Sequence, residues 1–304
     1  MRYCLSFFIL NVLIESKVIV MTTAFNKPEF IEIQYRTLKK YLLDDFDYFV
    51  FNDAMTNSSY ECLIKDICEK FKIHHIRYPQ EFHTKYDKLF PNIHPAPIRQ
   101  TDVIQYAFEK FFYNHDDILV IIDSDIFFTH EVSLRDRMTN YDVLALPFPS
   151  KISNEHKVIS SCIFPSSMFM CLKVKILPKK EGIKFNTGYI GSAFIDSFGF
   201  LQFYFYLRDD VKINYLKIYP SCNLVSCSDE DLFCLDLQQQ ELIRRFKYLV
   251  IKYENIDVGI HRHLNFIDNF LIDYGRGSNW SNNSSDFIKD KDKIFYDYIG
   301  NILN

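Results

Sequence analysis

The strongest constraint on this chain is a run of five apolar residues, Ile118-Leu119-Val120-Ile121-Ile122, that stops abruptly at Asp123-Ser124-Asp125. No polar residue alternates within the run, so it reads as a strand covered on both faces. Such a strand needs a sheet with helices on either side, and the residues before it alternate in that way. Lys17 to Met21 is a short β-branched run closed by Thr22-Thr23-Ala24, and Pro28 opens a helical stretch through Tyr41 with apolar positions at Phe30, Ile31, Tyr35, Leu38 and Leu42. Asp47 to Phe51 reads as a second strand ending in Asn52-Asp53, Glu61 to Phe71 as helix, and Ile73 to Tyr78 as strand. A loop with Pro91, Pro95 and Pro97 leads into an amphipathic helix from Ile98 to Tyr113. The expectation is an α/β fold with a mainly parallel central sheet.

Sheets of this kind bind ligands beyond the carboxyl ends of their strands. That singles out Thr22-Thr23-Ala24, Asn52-Asp53 and Asp123-Ser124-Asp125. Asp123 and Asp125, one residue apart where a buried strand meets solvent, can share a hard divalent cation such as Mn2+ or Mg2+, which takes carboxylate oxygens and keeps sites for water and phosphate. Asp and Ser also favour plain turns; the buried strand just before them favours the chemical reading.

The later residues are less regular. Tyr141 to Leu146 reads as a strand, and Lys151 to Lys157 as a linker-like change of lobe, so residues 1–150 and 151–304 form two halves of one continuous domain. Ser228 to Phe246 reads as a helix with Ser228 as N-cap and Asp231 three residues on, a start that resembles a capping box. Phe287 to Leu303 reads as a terminal helix.

A hydrophobic fraction of 48% and a charged fraction of 24% over 304 residues exclude extensive disorder. A formal net charge of -4 lacks the basic field of a nucleic-acid binder. The 8 cysteines include no C-x-x-C pair, which argues against a zinc knuckle and for free thiols in a reducing, cytoplasmic compartment. Tyr3 to Ile14 is apolar but shorter than the roughly 18 residues a membrane span requires, so a packed N-terminus is expected, with membrane association through residues 3–14 as the alternative.

On these segments the chain resembles the glycosyltransferases of the GT-A fold, in which a D-x-D motif follows a central strand. The resemblance implies a Rossmann-like, mostly parallel sheet flanked by helices, with residues 1–150 binding the nucleotide sugar and a C-terminal acceptor-side lobe in 151–304. Thr22, Thr23 and Ala24 stand where those enzymes begin their nucleotide pocket, Asp53 where an acidic residue meets uracil or ribose, and Arg99 and Asp102 where side chains contact nucleotide or sugar. Ser124 falls among the same contacts. Phe185-Asn186-Thr187-Gly188 resembles the F-N-x-G segment of retaining members, whose Asn holds the donor sugar. Asp229-Glu230-Asp231 resembles their later acidic segment near the reaction centre, which makes Asp231 and Asp229 the catalytic candidates. Asp273 to Trp280 resembles their C-terminal element, which supplies a third metal ligand and a diphosphate clamp. Asp273 stands where a His is expected, with His261 or His263 as alternatives, and Arg276 is the diphosphate candidate.

The resemblance thus implies transfer from a nucleotide-diphosphate sugar, a UDP-sugar first, to a hydroxyl of a carbohydrate or of a protein- or lipid-linked glycan. It also implies Mn2+ or Mg2+ and leans toward retention. Two other classes use similar elements. A haloacid-dehalogenase-type phosphatase also has an apolar strand before D-x-D, but it expects Thr or Val two residues after the second Asp, where this chain has Phe127. A sugar-nucleotide-binding module without catalysis is the other.

Overall fold

The computed structural model describes residues 17–83, 95–154, 157–190, 193–195, 200–206, 208–220, 224–253, 264–275 and 286–304. β1 (Val18–Ala24) is followed by α1 (Pro28–Tyr41), in which Pro28 takes a first-turn position where its missing N–H costs nothing. The face of α1 that carries Phe30, Ile31, Gln34, Thr37 and Leu38 is buried. β2 (Phe46–Asn52), α2 (Ser59–Phe71) and β3 (His74–Arg77) come next. The Ser58 side chain caps α2 by accepting from the backbone N of Glu61.

α3 (Pro95–Ala107) widens into a π-helical turn at Phe108–Phe112, and β4 (Ile118–Ile122) and β5 (Ile126–Phe128) flank the D-x-D. After α4 (Leu134–Arg137) come the long strands β6 (Val143–Asn154) and β7 (Lys157–Lys173), then β8 (Gly188–Ile190) and β9 (Ala193–Ile195). α5 (Leu201–Tyr206), β10 (Ile213–Tyr215) and β11 (Ile218–Tyr219) lead to α6 (Leu237–Lys252). β12 (Asn265–Ile267), β13 (Leu271–Asp273) and α7 (Asp286–Leu303) complete the described elements.

The central sheet has seven strands in the order β10-β6-β7-β4-β1-β2-β3. β3, β2, β1 and β4 are parallel neighbours, β7 runs antiparallel between β4 and β6, and β10 is parallel to β6. All five residues of β4 are buried, as its unbroken apolar run requires. One core layer packs α1 and α2 against the face carrying Val18, Val20 and Val120. The other packs α3 and α5 against the face carrying Ile19, Met21 and Ile121. A four-stranded sheet, β11-β12-β13-β5, joins α6 and α7 around a third core. The expected fold class, a Rossmann-like, mostly parallel sheet flanked by helices, is therefore the observed one.

Two expectations are corrected. Lys151 to Asn154 continue β6, and β7 begins at Lys157, so the linker-like stretch belongs to paired strands of the central sheet. Here β6 and β7 pair only with each other, beyond the stretches at which β10 and β4 join them, and residues on both sides of 150 build one sheet. The Ser228 start of a long helix is also replaced. The Ser228 N and Oγ both donate to Asp231 Oδ2 in a local turn, whereas α6 begins nine residues later on a reciprocal capping box between Asp236 and Gln239. Among the described residues no helix is long and apolar enough to cross a membrane. The apolar run at 3–14 lies outside the described residues.

Candidate functional site

The chain turns sharply after β4, and that turn is tied down at every side. Asp123 N donates to Met168 O at 2.8 Å, Ile126 N to Asp123 O at 3.1 Å, and Tyr274 N to Asp125 O at 3.0 Å. The buried amide of Gln34, on α1, donates to both Asp123 O (2.8 Å) and Ile126 O (2.7 Å), and Tyr48 OH donates to the Gln34 carbonyl oxygen. Behind the turn, Phe30, Phe127, Tyr274 and Phe295 form an aromatic cluster, with Phe30–Phe127 at 5.3 Å, Phe30–Tyr274 at 5.4 Å and Tyr274–Phe295 at 4.8 Å between centroids. Buried backbone polar groups without partners would be costly, so this saturation holds the two aspartates in place.

The pairing of β5 with β13 sets Asp273 beside Ile126, next to Asp125 in the chain. Asp125 and Asp273 are buried and Asp123 is partly so. The Asp123 carboxyl is pushed well above the usual carboxylate range by desolvation first, then by Asp125 and Asp273, although Gln100 on α3 donates to its Oδ1. Desolvation and then Asp125 push Asp273 up to about 7, against a hydrogen bond from Gly275 N to its Oδ1 at 2.7 Å. Lys291 of α7 is 1% exposed, donates to Gly275 O at 3.1 Å and lies 4.2 Å from the Tyr274 ring centroid. Burial draws its pKa down to about 8, opposed by Asp273 and Asp125.

Among the described residues no group of three or more His, Cys, Asp or Glu stands in a ligating arrangement for an ion. The donor chemistry is that of a hard cation: three carboxyl groups lie close enough that Asp125 and Asp273 raise the pKa of Asp123, and Asp125 that of Asp273, second in each case to desolvation. Mg2+ and similar ions commonly take one or two carboxylates and fill their remaining positions with water and substrate phosphate. Asp123 and Asp125 are the pair that would hold it, with Asp273 set next to them by the β5–β13 pairing.

The nucleotide candidates form a second cluster. β1 pairs with β4 only as far as Met21, so Thr22, Thr23 and Ala24 extend beyond that pairing. Thr22 Oγ1 is buried without a hydrogen-bond partner. Ala24 O accepts from Asp53 N at 2.7 Å. The Asp53 carboxylate accepts from Arg99 Nε at 3.2 Å and Arg99 Nη2 at 3.1 Å, from Gln80 Nε2 at 2.8 Å, and meets His83 Nε2 at 2.7 Å. Asp102 lies 3.4 Å from His83 Nδ1. The structure thus gathers Asp53, Arg99 and Asp102 and adds Gln80 and His83.

Asn186 begins just beyond Phe185, whose N donates to Gln105 Oε1 of α3 at 2.8 Å, and Ser124 is buried between the two aspartates. Asp229 pairs with Arg244 of α6 at 3.0 Å with its side chain 74% exposed, and Asp231 closes the turn at Ser228. Arg276, His261 and His263 lie outside the described residues. Gln34, Gln80, His83, Gln100 and Lys291 were not singled out from sequence. Gln34 left a signal, a polar residue on the apolar stripe of α1; Gln100 left only its place beside Arg99.

No family model matches the chain, and no curated protein matches it. It is similar to the solved apo structure of the bifunctional glycosyltransferase WbbM, with 11% identity over 68% of this chain and 40% of that one and a TM-score of 0.40. It is similar to S. aureus TarS 1–349 in complex with UDP, with 14% identity over 77% of this chain and 65% of that one and a TM-score of 0.37. It is also similar to the galactosyltransferase LgtC in complex with donor and acceptor sugar analogues, with 7% identity over 52% of this chain and 58% of that one and a TM-score of 0.36. The chain spans about two fifths of the length of the WbbM structure.

Proposed function

We propose that the chain is a glycosyltransferase that moves a sugar from a nucleotide-diphosphate sugar, a UDP-sugar first, to a hydroxyl of a carbohydrate or of a protein- or lipid-linked glycan. The observation that carries this reading is the gathering of Asp123, Asp125 and Asp273 at the carboxyl end of β4, where open α/β sheets bind their ligands. A bound Mn2+ or Mg2+ supplies charge neutralisation to the departing diphosphate. Gln34 and the β5–β13 pairing fix the carboxylates beforehand, so little reorganisation is needed when charge develops. Thr22 Oγ1 offers a buried hydroxyl to the nucleotide. Asn186 is the candidate donor-sugar contact, and Arg276 the diphosphate contact.

Inversion would need a carboxylate base near the acceptor. Asp231 and Asp229 are the candidates for that base, while the likeness of Phe185-Asn186-Thr187-Gly188 to the F-N-x-G segment of retaining enzymes supports the lean toward retention and front-face attack.

The test is a thermal-shift series with UDP, GDP, CMP and their sugar conjugates, with and without Mn2+. UDP at a hundredfold excess over Kd adds about 2.7 kcal/mol to the apparent stability. Asp125→Ala is expected to lose the metal-dependent part of the shift and keep its far-UV circular dichroism. The reading fails if no nucleotide gives a metal-dependent shift in the unsubstituted protein. Retained metal-dependent binding in the variant would remove Asp125 from the site.

A further inference from the structure

His83 is buried, and each of its ring nitrogens faces a carboxylate: Nε2 lies 2.7 Å from Asp53 Oδ1 and Nδ1 3.4 Å from Asp102 Oδ2. A neutral imidazole has one N–H and one lone pair. Its lone pair would then point at a carboxylate oxygen, which is repulsive in a buried place. An imidazolium donates to both. Among the described residues, Arg99 and a charged His83 set two cations against the two carboxylates, and buried charges need such partners.

We propose that His83, held as an imidazolium between Asp53 and Asp102, is a positioning residue that ties the end of β2 to α3 and so builds the nucleotide end of the site. The last clause rests on the glycosyltransferase reading; the protonation state does not. Asp53 then serves as an anchor. Its two oxygens are taken by Arg99, Gln80 and His83, so it organises the pocket rather than reading the base.

Among the described residues, the groups that face His83 come from three elements. Asp53 stands at the end of β2, Arg99 and Asp102 lie on α3, and Tyr78 packs on the ring at 4.6 Å from the segment after β3. Burial alone would lower the His83 pKa, and Arg99 works in the same direction. The bonds to Asp102 and Asp53 outweigh both, so it stands above the ordinary 6.5. For a raised cation the stabilisation is complete below 6.5 and is lost as pH rises through the raised value.

The experiment is nitrogen-15 NMR of the full chain labelled at histidine, paired with UDP–Mn2+ affinity from pH 6 to 9. His83→Gln assigns the resonance. At pH 7 both His83 nitrogens are expected at imidazolium shifts, and UDP affinity is expected to fall about tenfold as the ring titrates. The Gln variant should bind weakly at every pH with a profile flatter than that of the unsubstituted protein. If His83→Gln does not fold, Asp102→Asn assigns the resonance by moving its titration midpoint down. A ring with one proton at pH 7 overturns the proposal. So does a His83→Gln affinity profile that matches the unsubstituted one. If UDP binds to no form at any pH, the glycosyltransferase reading fails, and the NMR result still decides the protonation state.

Discussion

Gln34 shows how much one buried amide decides. It lies on the apolar face of α1, where a Leu would satisfy the helical pattern, yet its NH2 group serves the carbonyls on both sides of the D-x-D turn. Gln34→Leu keeps a similar volume and leaves those carbonyls and the Tyr48 hydroxyl without that partner. The expected cost is about 1–3 kcal/mol in urea unfolding, with weaker Mn2+-dependent UDP binding; an unchanged midpoint would show that other groups satisfy the turn. The polar residue on an apolar stripe was visible in the sequence, but its partners, some ninety positions away, were not. Asp53 teaches the converse. Its place after the second strand was legible, while its enclosure by Arg99, Gln80 and His83 depends on side chains that α3 and the segment after β3 bring together.

At the level of elements, the site rests on a strand pair. β5 and β13 are three residues each and carry no strong signal of their own, yet their antiparallel register sets Asp273 beside the D-x-D turn. Local sequence can show that Asp273 is a candidate ligand, but only the pairing shows what it stands next to. Helix starts follow a similar logic. Ser228-x-x-Asp231 and Asp236-x-x-Gln239 both satisfy the spacing of a cap, and the tertiary structure uses the second. Asp236→Ala is expected to cost about 1 kcal/mol through loss of the cap. The exposed pair of Asp236 with His130 at 2.6 Å adds little because water screens it. Ser228→Ala is expected to stay within about 0.5 kcal/mol. Equal losses in the two variants, read by thermal melting, would contradict this assignment of the start of α6.

Across the whole molecule, α7 is the element on which the site most depends from afar. It buries Phe287, Ile288, Phe295, Tyr298, Ile299 and Ile302 against α6, the small sheet and α1, and places Lys291 beneath Gly275. Lys40 Nζ also reaches back to Ile302 O at 2.6 Å. Each of those apolar side chains contributes about 1.5–3 kcal/mol, which together rivals the 5–15 kcal/mol of a whole domain. Truncation after residue 285 is therefore expected to abolish cooperative thermal unfolding and expose dye-binding apolar surface. A truncated chain that melted cooperatively near the full-length temperature would show that the third core forms without α7.

The sequence by itself determined the alternation of helices and strands, the doubly covered β4 and the acidic end of that strand. Periodicity and an abrupt change from apolar to charged residues are local properties, and they survive in a one-dimensional reading. The tertiary structure decided what those residues face. It folded residues 151–154 and 157 into long paired strands, chose Asp236 over Ser228 as the cap, set Asp273 beside Ile126, next to Asp125, and closed Asp53 within a ring of partners. Each of these outcomes turns on contacts between segments far apart in the chain, and neither pattern nor spacing records which of several chemically suitable partners packing brings within reach.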